Sequence, residues 1–469
     1  MATPPAPSPP MPGIVARSAA GTEHLNTLRP TLRYTLQGKL FYKRTWDYNT
    51  SGAGGPFKEY LPAVKVELWI QRSGRTEFAR HADGALTSGG EFRFADVPRF
   101  DRAAVKFYLQ HVTDAVVIKG MENLVTRDDY RLRRGEVVWR RVELDMARRD
   151  AATDFVVDFG DVEIAPTAPA LSNITHLCDC YKSTWRGWRW IKEHAKHTLP
   201  SCVVNYPQRG SVSFHRAGEL FILEGDARDK DVQLHEYGHF IGHTVLGGLT
   251  HPGYNYNDDV TNGHNPASSE HYESAWNEGH ATFLSSAISD DPIYRDGYDA
   301  SLTMDLATDN ITVGPHCEGS IQAVLWQVHK AGVKFDEGFW KAFSHAARKC
   351  ETVFAFYDNW RDAGCPNLAA LKAAMTAFNC HIGYRYTRSL VHDAAQALDP
   401  ANPTRFATVA ELFNAYGTAS GGTLADYREE FYNRNRYVGG GAFAAGATVA
   451  AFTLIQGTTY IVPERFEIT

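Results

Sequence analysis

The sequence contains no cysteine before Cys178, and the total of seven cysteines is odd. Disulfide-stabilised secreted domains carry even, closely spaced sets, so we expect mostly reduced thiols. The alternative is one or two disulfides in the second half of the chain, for example one that involves Cys350, Cys365 or Cys380. Residues Met1–Gly13 also lack the basic region and apolar core of a secretory signal peptide. We therefore expect export by a route that needs no signal peptide, with a mature form of the chain or a cytoplasmic location as the alternatives.

An excess of positive charge is equally absent. The chain has 48 Lys and Arg against 54 Asp and Glu, a formal net charge of −6, and the cations are scattered. This charge pattern argues against a nucleic-acid partner. The single long apolar stretch, residues 438–455, is interrupted by three consecutive glycines and is rich in alanine. It predicts buried strands or loops and no membrane span.

Apolar residues alternate with polar ones through most of residues 31–164. A period of two places one face of a strand against a core, and Gly-rich stretches at 49–55 and 87–90 supply turns between strands. This pattern predicts an antiparallel β-sandwich. The clearest alternating sets are Leu32, Tyr34 and Leu36; Val64, Val66, Leu68 and Ile70; and Val105, Phe107 and Leu109.

The segment Asp83–Pro98 resembles the turn and strand of transthyretin-like and Cna-B-like sandwich modules. The resemblance implies an accessory or binding role for this part of the chain.

The composition changes near Pro169, where Trp, His and helical periods become frequent. The predicted fold class is multidomain α+β, with an N-terminal antiparallel β-sandwich followed by a mostly helical domain. We assign residues 1–29 to a disordered Pro-rich segment, 30–166 to the β-sandwich and 167–469 to the helical domain. Helices are predicted at 232–246, 270–286, 320–330, 336–348, 367–379 and 408–416.

One of these predicted helices carries the motif His235-Glu236-Tyr237-Gly238-His239. Residues i and i+4 lie on one helix face, so the two imidazoles can bind one Zn²⁺. Glu236 is then placed to take a proton from a water at the metal, as a general base does. Apolar residues flank the motif, so the helix should pack inside the domain, where a buried histidine pair needs a partner such as a metal.

The third metal ligand must come from elsewhere. A metzincin has a histidine six residues after the second ligand, and Val245 stands there instead. His243 lies one turn after His239, but three histidines along one straight helix cannot surround a tetrahedral ion. We expect His243 to support a ligand from behind or to lie at the surface.

Carboxylates on the following predicted helix, 270–286, are the remaining candidates. Glu278 lies 39 residues after His239, and the intervening Gly-, Asn- and Tyr-rich loop is long enough for the second helix to return beside the first. Glu278 is the favoured ligand and Glu273 is its rival.

The motif and the segment Trp276–Phe283 together resemble the zinc-binding segments of gluzincin metallopeptidases, the class that includes thermolysin and fungalysin. The resemblance implies a zincin-type metallopeptidase domain in residues 167–469, with Glu236 as the general base. The zinc ligands that it implies are His235, His239 and Glu278.

Two further positions follow from the same resemblance. Gluzincins commonly carry an Asp four residues after the ligand Glu, bonded to a zinc histidine, whereas this chain has Thr282, which can accept a hydrogen bond but adds no charge. The segment Val313–Trp326 is similar to a His-containing segment of fungalysin-like enzymes, which implies that His316 stabilises the oxyanion. The alternatives for that role are Tyr384, Tyr386 and His392.

The implied activity is hydrolysis of a protein or peptide substrate by a zinc-activated water. Two alternatives stay open: a non-catalytic, adhesin-like binding protein with a structural zinc, and a toxin or effector peptidase delivered without a signal peptide. The loop 247–273 is interpreted as the rim or lid of a cleft. Endo- or exopeptidase specificity and the oligomeric state are left open.

Overall fold

The structure is a computed structural model of the 469-residue chain. It describes residues 33–47, 52–121, 130–131, 135–145, 150–153, 156–165, 174–246, 272–296, 302–309, 311, 313–346, 348–418, 422–436, 442–444 and 446–468. The predicted disordered segment 1–29 and nearly all of the predicted lid 247–273 lie outside these residues.

The chain divides into two compact units. Unit 1 takes the described residues up to Arg186 together with Pro200–Gln233, and unit 2 takes Gly187–Leu199 together with the described residues from Leu234 onward. The predicted domain boundaries, 30–166 and 167–469, stay a prediction.

Unit 1 is built mainly from strands in two sheets. One sheet has the order β10-β11-β1-β2, with β5 also paired to β1; the other has the order β13-β14-β12-β7-β6-β3-β4, with β9 paired to β6 and β8 to β9. Its strands are β1 Tyr34–Asp47, β2 Gly52–Tyr60, β3 Val64–Gln71, β4 Ala79–Ala85, β5 Glu91–Val97, β6 Arg102–His111, β7 Val116–Gly120, β8 Tyr130–Arg131, β9 Trp139–Glu143, β10 Asp150–Thr153, β11 Val156–Glu163, β12 Cys202–Gln208, β13 Phe214–Arg216 and β14 Glu219–Leu223.

The alternating residues are buried as the period-two pattern requires. Along β3 every second side chain is buried, and Val105, Phe107 and Leu109 of β6 are fully buried. Most strand pairs are antiparallel, but β1 pairs with β11, and β12 with β7 and β14, in parallel. Parallel neighbours must be joined by long connections, so these pairings have no signal in local periodicity.

Helices dominate unit 2, which also holds a two-stranded sheet, β15-β16, and a three-stranded sheet, β18-β17-β19. Its strands are β15 Ile293–Asp296, β16 Leu302–Asp305, β17 Ile382–His392, β18 Arg405–Phe406 and β19 Thr459–Glu467. The α-helices of the described residues are α1 Ile174–His194, α2 Lys230–Leu246, α3 Tyr272–Ser289, α4 Glu318–Lys330, α5 Phe339–Phe343, α6 Val353–Asp362, α7 Leu368–Ala377, α8 Val409–Leu412 and α9 Leu424–Asn435. Helices α1 and α2 contribute residues to both units.

The predicted fold class, an N-terminal β-rich region followed by a mostly helical part, is confirmed. The predicted helix 336–348 is a single short helix, α5, and the predicted 408–416 is α8 followed by a π-helical turn, Phe413–Gly417. None of the described helices is both long and apolar enough to cross a membrane. The seven cysteines are all buried and free.

A buried carboxyl group lies in unit 1. Asp179 of α1 is 4 % exposed and accepts a hydrogen bond of 2.9 Å from the hydroxyl of Tyr42, itself fully buried on β1. Burial raises the pKa of Asp179 to about 7, and the hydrogen bond from Tyr42 opposes this only in part. In the unfolded chain the same carboxyl group titrates near pH 4, so this raised pKa couples folding to pH.

We predict that Asp179→Asn flattens the pH dependence of stability. The stability contributed by protonated Asp179 is fully present below about pH 4 and is lost as the pH rises through about 7, because the unfolded chain releases the proton first. One pKa unit corresponds to about 1.4 kcal/mol. Between pH 5 and 8 the free energy of unfolding of the native chain should therefore fall by up to about 3 kcal/mol relative to that of the variant. Urea unfolding measures this, with exposed Asp145→Asn as the control; equal pH slopes for native chain and Asp179→Asn would refute it.

Candidate metal centre

Helix α2 carries the His-Glu-x-x-His motif. The carboxylate of Asp229, just before the helix, accepts hydrogen bonds from the backbone N–H groups of Asp231 at 3.0 Å and Val232 at 3.4 Å. A carboxylate at this end satisfies unpaired N–H groups and opposes the positive end of the helix dipole. His235, six residues after Asp229, begins the face that carries the candidate ligands.

Helix α3 is buried along almost its whole length. Sixteen of its eighteen residues are buried, including Glu278 and Thr282. A helix buried on every side places its polar side chains where each needs a partner. On this helix Glu278, Ala281 and Thr282 share one face, because they are spaced by three and four residues.

Glycine allows α2 and α3 to approach closely. A Cβ atom built on Gly238 would lie 2.7 Å from the Cα of Ala281, and one on Gly242 would lie 2.9 Å from Nε2 of His280. Real Cβ atoms do not approach backbone this closely. The two glycines lie on the same face of α2 as His235 and His239, so the close approach brings the histidines to the carboxylate of Glu278.

The three predicted ligands meet. Nε2 of His235 lies 3.0 Å from Nε2 of His239, and each lies 3.1 Å from Oε2 of Glu278. Among the described residues, this is the one set of three His, Cys, Asp or Glu side chains whose donor atoms lie close enough together to hold a metal ion.

These donors fit a zinc ion. Ligand atoms of a tetrahedral zinc at about 2.0–2.1 Å are separated by about 3.3–3.4 Å, close to the triangle observed here. The ligand side chains keep 9 %, 11 % and 8 % of their exposure for His235, His239 and Glu278. A set of three protein donors suits a site with an open fourth position more than a closed structural site.

Neighbouring side chains orient the ligands. Nδ1 of His235 lies 3.0 Å from the hydroxyl oxygen of Thr282, and the amide nitrogen of Asn277 donates to Oε1 of Glu278 at 3.2 Å. The ring of Tyr294, from β15, lies 5.8 Å from the ring of His235. The sequence patterns did not indicate Tyr294, because it reaches the site from a hairpin outside the motif helices.

Burial and charged neighbours shift the pKa values of the side chains at the metal centre. Burial lowers the pKa of His239, but Glu278 and Glu236 outweigh burial and raise it to about 9. Burial raises the pKa of Glu278, yet the two histidines hold it well below its usual range. His280, stacked on Trp276, is lowered to a pKa of about 4 by burial first and by His239 second. A cation is therefore favoured between the two histidines and Glu278.

The rival ligand is paired outside the cluster, and the oxyanion candidates have other neighbours. Glu273 forms a buried ion pair with Arg434. His316 has its ring 6.0 Å from that of Tyr272, which lies six residues, or about 9 Å of helix, before Glu278. The ring of Tyr384 lies 6.5 Å from that of Tyr272.

Nδ1 of His392 lies 3.3 Å from the carbonyl oxygen of Phe406. The side chain of Tyr386 lies outside what the structure describes. The catalytic roles of Glu236 and His316 stay predictions.

The sequence between residues 190 and 380 matches the model of a family described as the mycolysin C-terminal domain. This segment includes α2, α3 and all three ligands, and the match relates it to a metallopeptidase family. No curated protein matches the chain.

Two solved structures show a distant similarity. The major plantain pollen allergen Pla l 1 is 10 % identical, with 28 % of this chain and 92 % of that chain covered and a TM-score of 0.17. A 9R-lipoxygenase from Cyanothece PCC8801 is 13 % identical, with 38 % of this chain and 24 % of that chain covered and a TM-score of 0.17. TM-scores this low have no bearing on the fold.

We predict that Gly238→Ala disrupts the centre although alanine is the better helix former. The added methyl group would meet the backbone of Ala281, so α2 and α3 must separate, at a cost of about 1–3 kcal/mol for overpacking against a gain of about 1 kcal/mol in helix propensity. Zinc affinity should fall with stability. Urea unfolding and zinc titration measure both effects.

Gly225→Ala is the matched control, since a Cβ atom there has no neighbour within 4 Å. If Gly238→Ala is as stable as the native chain and binds zinc equally well, then the close approach of α2 to α3 is not required for the centre.

Proposed function

We propose that this chain is a zinc-dependent peptidase that hydrolyses protein or peptide substrates. The observation that carries the proposal is the cluster of His235, His239 and Glu278, with Glu236 next to the first ligand. The family match over 190–380 supports the same reaction class. As a further part of the proposal, the peptidase acts outside the cell that makes it.

Zinc, when bound, polarises the scissile carbonyl and lowers the pKa of a water molecule towards about 7. Two histidines and one carboxylate of this chain would hold it. Glu236 takes a proton from the attacking water and delivers it to the leaving amine. Because Glu236 precedes Gly238 on the same buried helix, its backbone position is held by the packing of α2 on α3.

His316 is proposed as the donor to the oxyanion. Burial lowers its pKa, so its imidazole is neutral near pH 7 and can donate one N–H group. Its neighbour Tyr272 begins the helix that carries Glu278, which keeps both groups in one unit.

A non-catalytic protein with a structural zinc is the competing function. Structural zinc sites are closed by four protein ligands, whereas three are found here among the described residues. This difference favours the peptidase.

We predict that Glu236→Gln abolishes peptide cleavage while zinc stays bound. The amide cannot accept the proton, and loss of a general base lowers turnover by about 10²- to 10⁴-fold. Zinc content by mass spectrometry and hydrolysis of a casein or peptide-library substrate measure the two properties. Exposed Glu429→Gln is the control and should match the native chain. A Glu236→Gln chain with native cleavage would reject the mechanism.

We also predict that zinc stabilises the folded chain through His235. A ligand that binds only the native state at about 100 times its Kd adds about 2.7 kcal/mol of stability. Chelation should therefore lower the thermal midpoint of the native chain and leave that of His235→Ala unchanged. His81→Ala, on β4 of unit 1, is the control that keeps the response. A zinc response that survives in His235→Ala would place the metal elsewhere.

A further inference from the structure

The hydrogen bond behind His235 is made by a hydroxyl group. Nδ1 of His235 lies 3.0 Å from Oγ1 of Thr282, which is 3 % exposed, one helical turn after Glu278. When Nε2 provides the lone pair for a metal, Nδ1 carries the proton and must donate it. The hydroxyl oxygen of Thr282 then accepts a hydrogen bond from Nδ1–H, which fixes the tautomer and the orientation of the ring.

A second contact at the ligands is also neutral. The side-chain amide of Asn277 donates to Oε1 of Glu278 at 3.2 Å. Of the three candidate ligands, Glu278 is the charged one. A divalent ion held by these ligands keeps a net charge of about +1, which a carboxylate at position 282 would reduce further.

We propose that Thr282 is a positioning residue that orients His235 without adding charge, so that the centre binds its metal more weakly than a carboxylate at position 282 would allow. This inference rests on the proposed zinc centre and adds what limits its affinity. A neutral acceptor orients the imidazole but leaves its Nε2 less basic than a carboxylate would. Residue 282 therefore sets zinc affinity.

Substitutions at 282 separate orientation from charge. Thr282→Val keeps the shape and removes the acceptor, Thr282→Asp supplies a charged acceptor, and Thr282→Asn supplies a neutral acceptor of the same size as Asp. Substitution of a residue that hydrogen bonds to a metal ligand typically lowers the affinity for the metal by about 10- to 100-fold. We expect zinc affinity to fall by about that factor in Thr282→Val. We expect Thr282→Asp to exceed Thr282→Asn by a similar factor.

The experiment is competition for Zn²⁺ against a chromophoric chelator, with zinc-free chains first shown to be folded by circular dichroism. Ser286→Ala is the control, because its hydroxyl group is equally buried one helical turn further along α3. The control should bind zinc as the native chain does. If Thr282→Val does not fold without metal, the comparison of Thr282→Asp with Thr282→Asn decides the question at constant size.

The outcomes distinguish this inference from the proposed function. Equal zinc affinities in the native chain and all Thr282 variants would overturn the inference, and would leave the peptidase proposal intact as long as Glu236→Gln abolishes cleavage. A native chain whose zinc binding does not depend on His235 would overturn the metal centre itself. We expect Thr282→Asp to bind zinc more tightly than Thr282→Asn, and the native chain to bind zinc more tightly than Thr282→Val.

Discussion

The close packing of α2 against α3 is the constraint on which the candidate centre depends. Gly238 leaves room for the backbone of Ala281, and at that separation the imidazoles of His235 and His239 reach the carboxylate of Glu278. Each helix places a donor and a small residue three positions later on the same face. A third helix, α4, packs against α3 in a similar way, since a Cβ atom on Gly279 would lie 2.6 Å from that of Ile321. The geometry of the three donors is therefore a property of helix packing.

Much of the site could be predicted from sequence, because its first part is local. The two histidines share a face by helix geometry alone, whereas the choice between Glu273 and Glu278 needed a tertiary contact. These two residues lie about 140° apart around α3, so only one of them can face α2. Ala281 and Thr282, one turn after Glu278, mark that face, whereas Glu273 meets Arg434. Tyr294 had no local signal, since a hairpin brings it to His235.

In the fold, too, the sequence patterns predicted local elements and missed long-range contacts. Alternation identified strands such as β3 and β6, whose inward residues are buried, but the parallel pairing of β1 with β11 joins segments more than a hundred residues apart. Helix α1, which carries the buried Asp179, was not predicted as an element, because its cysteines, tryptophans and histidines hide the apolar period. The predicted helix 336–348 shortens to α5, beginning after Gly338, where a Cβ atom would lie 2.6 Å from the ring of Trp360.

The proposed peptidase centre has three candidate metal ligands and a hydroxyl group behind one histidine. The central claim is that this chain binds zinc through two imidazoles and one carboxylate and leaves one position to solvent. Zinc-edge X-ray absorption of the metal-loaded native chain tests it most directly. The account predicts about four nitrogen or oxygen neighbours at about 2.0–2.2 Å, two of them showing imidazole scattering. Sulfur neighbours at about 2.3 Å, or a spectrum without imidazole, would contradict it.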